Sequence, residues 1–284
     1  MTKIKIKSLV LFVLAALLLG LVIWTVWGNT ALEQNTYTIK SGKLSKAFDG
    51  YRIAHISDLH NTEIGQDNHT LISLLREAKP DLIAVTGDLV DSRHTDMEIA
   101  LRFMEEAVTI APCYYVTGNH EERITAYEEL KAGLTERGVT VLEDARTVIE
   151  RSGETITLIG VNDPSFEPDP LLSDEVLTDT KLKELLCEED RFTVLLSHRP
   201  ELFEVYAEHD VDVVLTGHAH GGQFRLPFVG GIIAPHQGFF PEYDGGQFTE
   251  GYTTMMVSRG VGNSIIPVRF NNRPEIVLVS LKCK

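Results

Sequence analysis

Apolar and polar positions divide this chain into two unequal parts. From Leu9 to Trp27 the sequence is uncharged and apolar, broken only by Gly20 and Thr25. As a helix it would cover roughly 28 Å, close to the ~30 Å hydrocarbon thickness of a bilayer. A polar connection from Gly28 to about Ala47 follows, with one strand expected near Thr36–Lys40. Short apolar runs then alternate with amphipathic segments. Arg52–Ser57, Leu82–Thr86, Tyr114–Thr117, Thr155–Val161, Phe192–Ser197 and Val211–Thr216 read as buried strands. Between the first three lie helices. One starts near Asp67–His69 and stops at Pro80. Another follows Asp96, a suitable N-cap, with Ile99, Phe103 and Ala107 on one face. A third covers Ile124 to Arg137 and stops at Gly138. Strand–helix–strand alternation implies parallel pairing and an α/β domain. Thr253–Ser258, Ile265–Phe270 and Glu275–Leu281 have no helices between them and predict a second, mixed or antiparallel sheet packed on the first. The expected organisation is an anchor over residues 1–28, a linker with the first strand over 29–50, and one domain over 51–284.

Trp24 and Trp27 close the apolar run, where aromatic side chains favour the membrane interface. A cleavable signal peptide is the competing reading. Its apolar core is usually about 7–15 residues; this run is longer, and no clear small-x-small site follows, which favours an uncleaved transmembrane helix. Lys3, Lys5 and Lys7 predict an inside N-terminus and a single-pass protein of the cell membrane with an extracytoplasmic domain. Lys40, Lys43 and Lys46 weaken that bias from farther away. The remaining composition is ordinary, with 43% hydrophobic and 24% charged residues, but the net charge is −15. No basic stripe is present, so no nucleic-acid partner is expected. Cys113, Cys187 and Cys283 are few and scattered, which excludes a disulfide framework and disfavours a thiolate zinc site.

Five of the strands are followed directly by residues with metal-binding chemistry. They are Asp58-Leu59-His60, Gly87-Asp88 with Asp91 three residues on, Gly118-Asn119-His120, Ser197-His198, and Gly217-His218-Ala219-His220-Gly221-Gly222. In an open α/β sheet the ligand site lies beyond the C-terminal strand ends, so the five would converge. Imidazole, carboxylate and a neutral amide oxygen suit Mn, Fe or Zn. A carboxylate such as Asp88 can bridge two cations. Two metals about 3.5–4 Å apart would bind a phosphoryl oxygen and a bridging hydroxide directed at phosphorus. Alone, each motif has a bland explanation as a surface or satisfied core group; together, in this strand context, they point to one centre. His55, His69, His94 and His209 read as structural, and His236 as either a loop residue or a pocket wall.

As a set, the motifs between Ile53 and Gly222 resemble the calcineurin-like metallophosphoesterase superfamily. The resemblance implies a four-layer αββα sandwich of two mixed β-sheets between helices. It implies that Asp58, His60, Asp88 and His220 hold one divalent metal and that Asp88, Asn119, His198 and His218 hold a second. His120 would face the leaving-group oxygen as the catalytic acid or electrostatic partner, and Asp91 would hydrogen-bond His120 and keep it protonated. Asp91 is followed by Ser92-Arg93-His94, and Thr117 stands before the third motif. Both depart from the Ser/Thr protein phosphatases. Gly221-Gly222-Gln223, Ser258 to Ser264 and Pro267-Val268-Arg269 instead look like membrane-anchored bacterial phosphodiesterases.

The resulting expectation is a two-metal phosphodiesterase acting on a lipid-linked or cell-envelope phosphoester. A nucleotide phosphohydrolase or nuclease on the same scaffold, and a non-catalytic metal-binding module, are the rivals. Arg199, Arg259 and Arg269 are candidates for phosphate contact or for internal salt bridges. Phe239 and Phe240 would meet an acyl chain or cap a core.

Overall fold

A short run that is apolar at every position has two faces to bury. The computed structural model, which describes residues 3–167, 169, 171–186, 191–263 and 265–284, buries both. The first strands in chain order are β1 (Glu33–Ser41), β2 (Arg52–Ile56), β3 (Leu82–Thr86), β4 (Cys113–Val116), β5 (Thr140–Val141) and β6 (Ala145–Arg151). They are followed by β7 (Glu154–Gly160), β8 (Thr193–Leu196), β9 (Val213–Thr216), β10 (Gly246–Glu250), β11 (Thr253–Val257) and β12 (Glu275–Cys283). Two six-stranded sheets result, with orders β1-β12-β2-β3-β4-β5 and β10-β11-β9-β8-β7-β6. Both are mixed. β12 runs antiparallel to β2 and parallel to β1, while β6 and β10 are the antiparallel edges of the second sheet.

The helices are α1 (Lys3–Thr30), α2 (His69–Ala78), α3 (Met97–Ala107), α4 (Asn119–Glu122), α5 (Tyr127–Glu136), α6 (Asp174–Leu185) and α7 (Phe203–Glu208). Leu82 and Ala84 face the space between the sheets, with Val194, Val213 and Leu215 in the same core. Their neighbours Ile83 and Val85 pack with Leu71, Leu75 and Phe103 of α2 and α3. Leu195 and Val214 pack with Leu182, Phe203 and Tyr206 of α6 and α7. Three cores thus separate four layers, in the order helix, sheet, sheet, helix. Asp96 caps α3 as expected, accepting the Glu98 N–H at 3.1 Å. Gly138, at φ +87°, stops α5.

Several expectations are corrected. Ile265–Phe270 is not a strand; among the described residues only Phe270 makes a bridge, to Phe224. Pro267 offers no N–H, and the Gln223 side-chain amide takes the carbonyls of Ile266 and Val268 at 2.8 and 2.7 Å. β11 and β12 do not form a sheet of their own but go to different sheets. β12 carries Ile276 and Leu278 on one face and Val277 and Val279 on the other, so it needs a central position, which it finds between β1 and β2. The helix expected over Ile124–Arg137 begins only at Tyr127. The unexpected β6 is an edge strand whose positions alternate between half-buried and exposed, and α6 buries only Thr178 and Leu182.

α1 is exposed along Leu9–Trp27 apart from the half-buried Thr25, and is long and apolar enough to cross a membrane. Its end is fastened to the domain. The Asn29 side chain bonds the backbone of Arg269, and the Arg273 guanidinium lies 4.9 Å from the Trp27 ring centroid. Cys113 and Cys283 are free thiols; Cys187, like Ser264 of the downstream motif, lies outside the described residues.

Candidate metal centre

The loops after β2, β3, β4, β8 and β9 bring the sequence-predicted site residues to one end of the sandwich. Asp58, His60, Asp88 and His220 offer ligand atoms all within 4.8 Å of one another, as do Asp88, His198 and His218. Asp88 belongs to both groups. Its Oδ2 lies 3.4 Å from His60 Nε2 and 3.3 Å from His198 Nε2. His220 Nε2 is 3.4 Å from Asp58 and 3.2 Å from His60 Nε2, and His218 Nδ1 is 3.0 Å from His198 Nε2. All six side chains are buried.

The backbone is bent to make this possible. Asp58, His60, Asp88, His218 and His220 all have left-handed φ, between 46° and 64°. Residues with a β-carbon rarely adopt that region, and such strain persists only where surroundings enforce it. Close approach helps: a β-carbon on Gly118 would overlap the Asp88 carboxylate, and one on Gly217 would overlap Ser57 and Asp58. Glu121, to which no motif assigned a role, ties the turns together. Its carboxylate accepts N–H groups from Asp88 (2.9 Å), Gly118 (2.8 Å) and Val90 (3.3 Å). The available signal was its place directly after the Asn119-His120 pair.

Neighbouring groups also select nitrogen roles. His198 Nδ1 donates to the Thr86 carbonyl at 2.7 Å, which leaves Nε2 to face Asp88 and, on losing its proton, to ligate a cation. His218 presents Nδ1 to the centre and Nε2 to His236 Nδ1 at 2.8 Å, with the two rings stacked. His236 is therefore part of the site wall. Burial alone would raise the Asp58 and Asp88 pKa values, but the surrounding histidines hold both carboxylates low. Burial opposes charge on His198 too, yet Asp88 and Asp58 raise it to about 10. Glu121 is pushed up to about 7 by burial and by the charge of Asp88.

The donor set fits a pair of divalent cations. Acceptor atoms face one another across the cluster, and the buried Asn119 Oδ1 has no hydrogen-bond partner. A cation against Asp88 and Asn119 would satisfy both.

The Asp91 carboxylate lies within 4.8 Å of a His120 ring nitrogen and favours charge on that ring, but burial, the larger effect, lowers its pKa. His120 Nδ1 accepts the Ser92 N–H at 3.0 Å, which puts the proton of the neutral ring on Nε2. The Asp91 carboxylate also takes a fork from Arg93 at 2.6 and 3.1 Å, and lies 4.0 Å from His60. The three candidate phosphate-binding arginines are committed elsewhere. Arg199 is bidentate to Asp163 at 2.5 and 2.8 Å. Arg259 pairs with Glu33 and Glu275, and Arg269 braces the Arg259 and Gly262 carbonyls. Arg123 is exposed, forms no ion pair among the described residues, and is near enough to lower both His120 and His236.

Comparison with known proteins agrees with this geometry. The family model for calcineurin-like phosphoesterases matches residues 51–222. A Bacillus subtilis protein named uncharacterized metallophosphoesterase YkuE is 32% identical over 263 residues, covering 88% of this chain and 86% of that one. Phosphodiesterase YaeI of Escherichia coli is 29% identical over 242 residues, covering 81% and 82%. The crystal structure of TT1561 from Thermus thermophilus shares the fold, with a TM-score of 0.52 at 16% identity over 75% of this chain and 90% of that one.

Proposed function

The chain belongs to the calcineurin-like phosphoesterase family, and from that premise we propose that it is a two-metal phosphodiesterase acting on a lipid-linked phosphoester at a membrane surface. The observation that carries the reading is the buried pair of ligand groups joined by Asp88. Asp58, His60, Asp88 and His220 would hold one ion; Asp88, Asn119, His198 and His218 would hold the other, with Mn, Fe or Zn suited to the donors. When bound, the ions would supply Lewis-acid charge and an acidified water.

The protein's own groups do the rest. The Thr86 carbonyl and Glu121 hold His198 and Asp88 in position. His120, fixed through Ser92 with its proton on Nε2, can donate to the phosphoryl or leaving-group oxygen as the catalytic group. Asp91, held by Arg93, acts through its charge on both His60 and His120. Arg123, exposed and without an ion pair among the described residues, is available to meet an anionic substrate.

The E. coli relative's name, phosphodiesterase, supports the diester over the monoester. The apolar helix α1 supports a membrane location, and Lys3, Lys5 and Lys7 support a domain outside the cytoplasm. The test is metal analysis of the purified protein together with hydrolysis of bis(p-nitrophenyl) phosphate, p-nitrophenyl phosphate, nucleotides and phospholipids. Two metals per chain and preference for diesters are expected. Monoester or nucleotide preference would refute the diesterase assignment, and a metal-loaded but inert protein would refute the enzyme.

A further inference from the structure

Beside the metal centre lies a recess of 260 Å³ walled by Ile233, Ala234, Pro235, Ile265 and Ile266, with His220 as part of the lining. His220 is also one of the clustered metal-type ligands, so the recess and the centre share a wall. Gln223 is the other polar lining residue, and its amide group spends both hydrogens on the Ile266 and Val268 carbonyls. A base or sugar placed there would lose hydrogen bonds to water with little return. An apolar group would lose nothing and gain burial.

The rim is apolar too. Phe239 pairs with Ile233 across a two-residue antiparallel ladder and is 73% exposed, as is Ile265; Val268 is 40% exposed. Exposed apolar patches of this kind mark contact with a partner or a membrane. The outer wall has a definite relation to α1. Arg269, next to Val268, is bonded through its backbone N–H and carbonyl to Asn29 at the end of that helix. The loop that walls the recess is thus held where the apolar helix meets the domain.

We propose that this recess binds an acyl chain of the substrate, holding the chain between the Ile233–Pro235 segment and the Ile265–Ile266 loop while the phosphoester sits at the metal centre. The proposal rests on the membrane-surface phosphodiesterase reading and names the site through which it selects lipid.

The full chain, loaded with Mn²⁺ and held in amphipol, is titrated calorimetrically with methyl-, butyl- and octylphosphonate, which bind without being hydrolysed. Each buried methylene is worth about fourfold in affinity, so burying about three of them favours octyl over methyl by about 60-fold. Ala234→Trp, which fills the recess, and Ile266→Ser, which makes its wall polar, each reduce the octyl-to-methyl ratio to below about threefold. Equal affinities in the wild type, or a ratio that neither variant moves, overturn the proposal. Hydrolysis of bis(p-nitrophenyl) phosphate is followed on the same wild-type sample. Turnover with a flat phosphonate series removes the recess and leaves the enzyme. Chain-length dependence without turnover removes the catalytic reading and leaves the recess.

Discussion

Asn29 and Arg269 form a two-point clasp: Asn29 Oδ1 accepts the Arg269 N–H at 2.7 Å, and Asn29 Nδ2 donates to the Arg269 carbonyl at 2.8 Å. The clasp joins the end of α1 to the loop beside the metal centre, so the helix is more than a tether at its last turn. Removing residues 1–27 should leave turnover of a small aryl phosphodiester within about threefold of the full chain, since no site residue is touched. Removing residues 1–32 also deletes Asn29 and the Ala31 and Leu32 carbonyls that accept from Arg273. Each lost half-buried hydrogen bond costs about 0.5–1.5 kcal/mol. A larger drop in melting temperature is therefore expected for the longer deletion than for the shorter one, which loses the Trp27 ring beside Arg273. Equal melting temperatures would show that the clasp contributes nothing.

His120 and Asp88 should separate catalysis from metal binding. His120 is not needed for either ligand group, so His120→Ala should retain both metals and lose about 10²–10⁴-fold in turnover. Asp88→Ala should lower metal content itself, because Asp88 belongs to both groups. Metal analysis beside steady-state kinetics distinguishes the two. An unchanged rate in His120→Ala would remove that residue from the mechanism.

Arg199 and Arg123 should behave oppositely. Arg199 is buried in a fork with Asp163, and removing one member of a buried pair costs about 3–5 kcal/mol. Arg199→Met should therefore lower stability in chemical denaturation. Arg123→Gln should leave stability unchanged and raise KM about tenfold or more, as expected for a lost charged hydrogen bond. A KM effect from Arg199→Met in a fully stable protein would restore its role as a phosphate ligand.

Glu121 gives the metal-free protein a definite pH dependence. Its pKa rises from the ordinary 4.5 to about 7 because burial and the Asp88 charge disfavour ionisation. Between those values the folded state holds a proton that the unfolded state has released, so stability from this group falls as pH rises from about 4.5 to about 7. Thermal melts of chelator-treated protein across that window should slope downward more steeply than those of Glu121→Gln. Parallel slopes would show that Glu121 does not titrate there. Restored metal, by neutralising Asp88, should flatten the wild-type slope.

How much of this could be read from the sequence depends on the distance over which each feature is determined. β2, β3, β8 and β9 were legible because a two-sided apolar run states its own burial, and the ligands were legible because each follows such a run. Ile265–Phe270 has the composition of a strand, but Gln223, more than forty positions away, captures its carbonyls. The roles of Glu121 and Ser92 were hidden for the same reason: both are backbone hydrogen-bond relations between separate loops. Arg199, Arg259 and Arg269 looked alike in sequence, and only their carboxylate and carbonyl partners show that each is already occupied.

The position of β12 sets an order in time. It lies between β1 and β2, yet more than two hundred residues are synthesised between β2 and β12. While the ribosome is still working, β1 has no neighbour and β2 keeps one edge open, so the first sheet cannot close. The last strand therefore joins β1 to β2 and completes the first sheet only once the whole domain has been made.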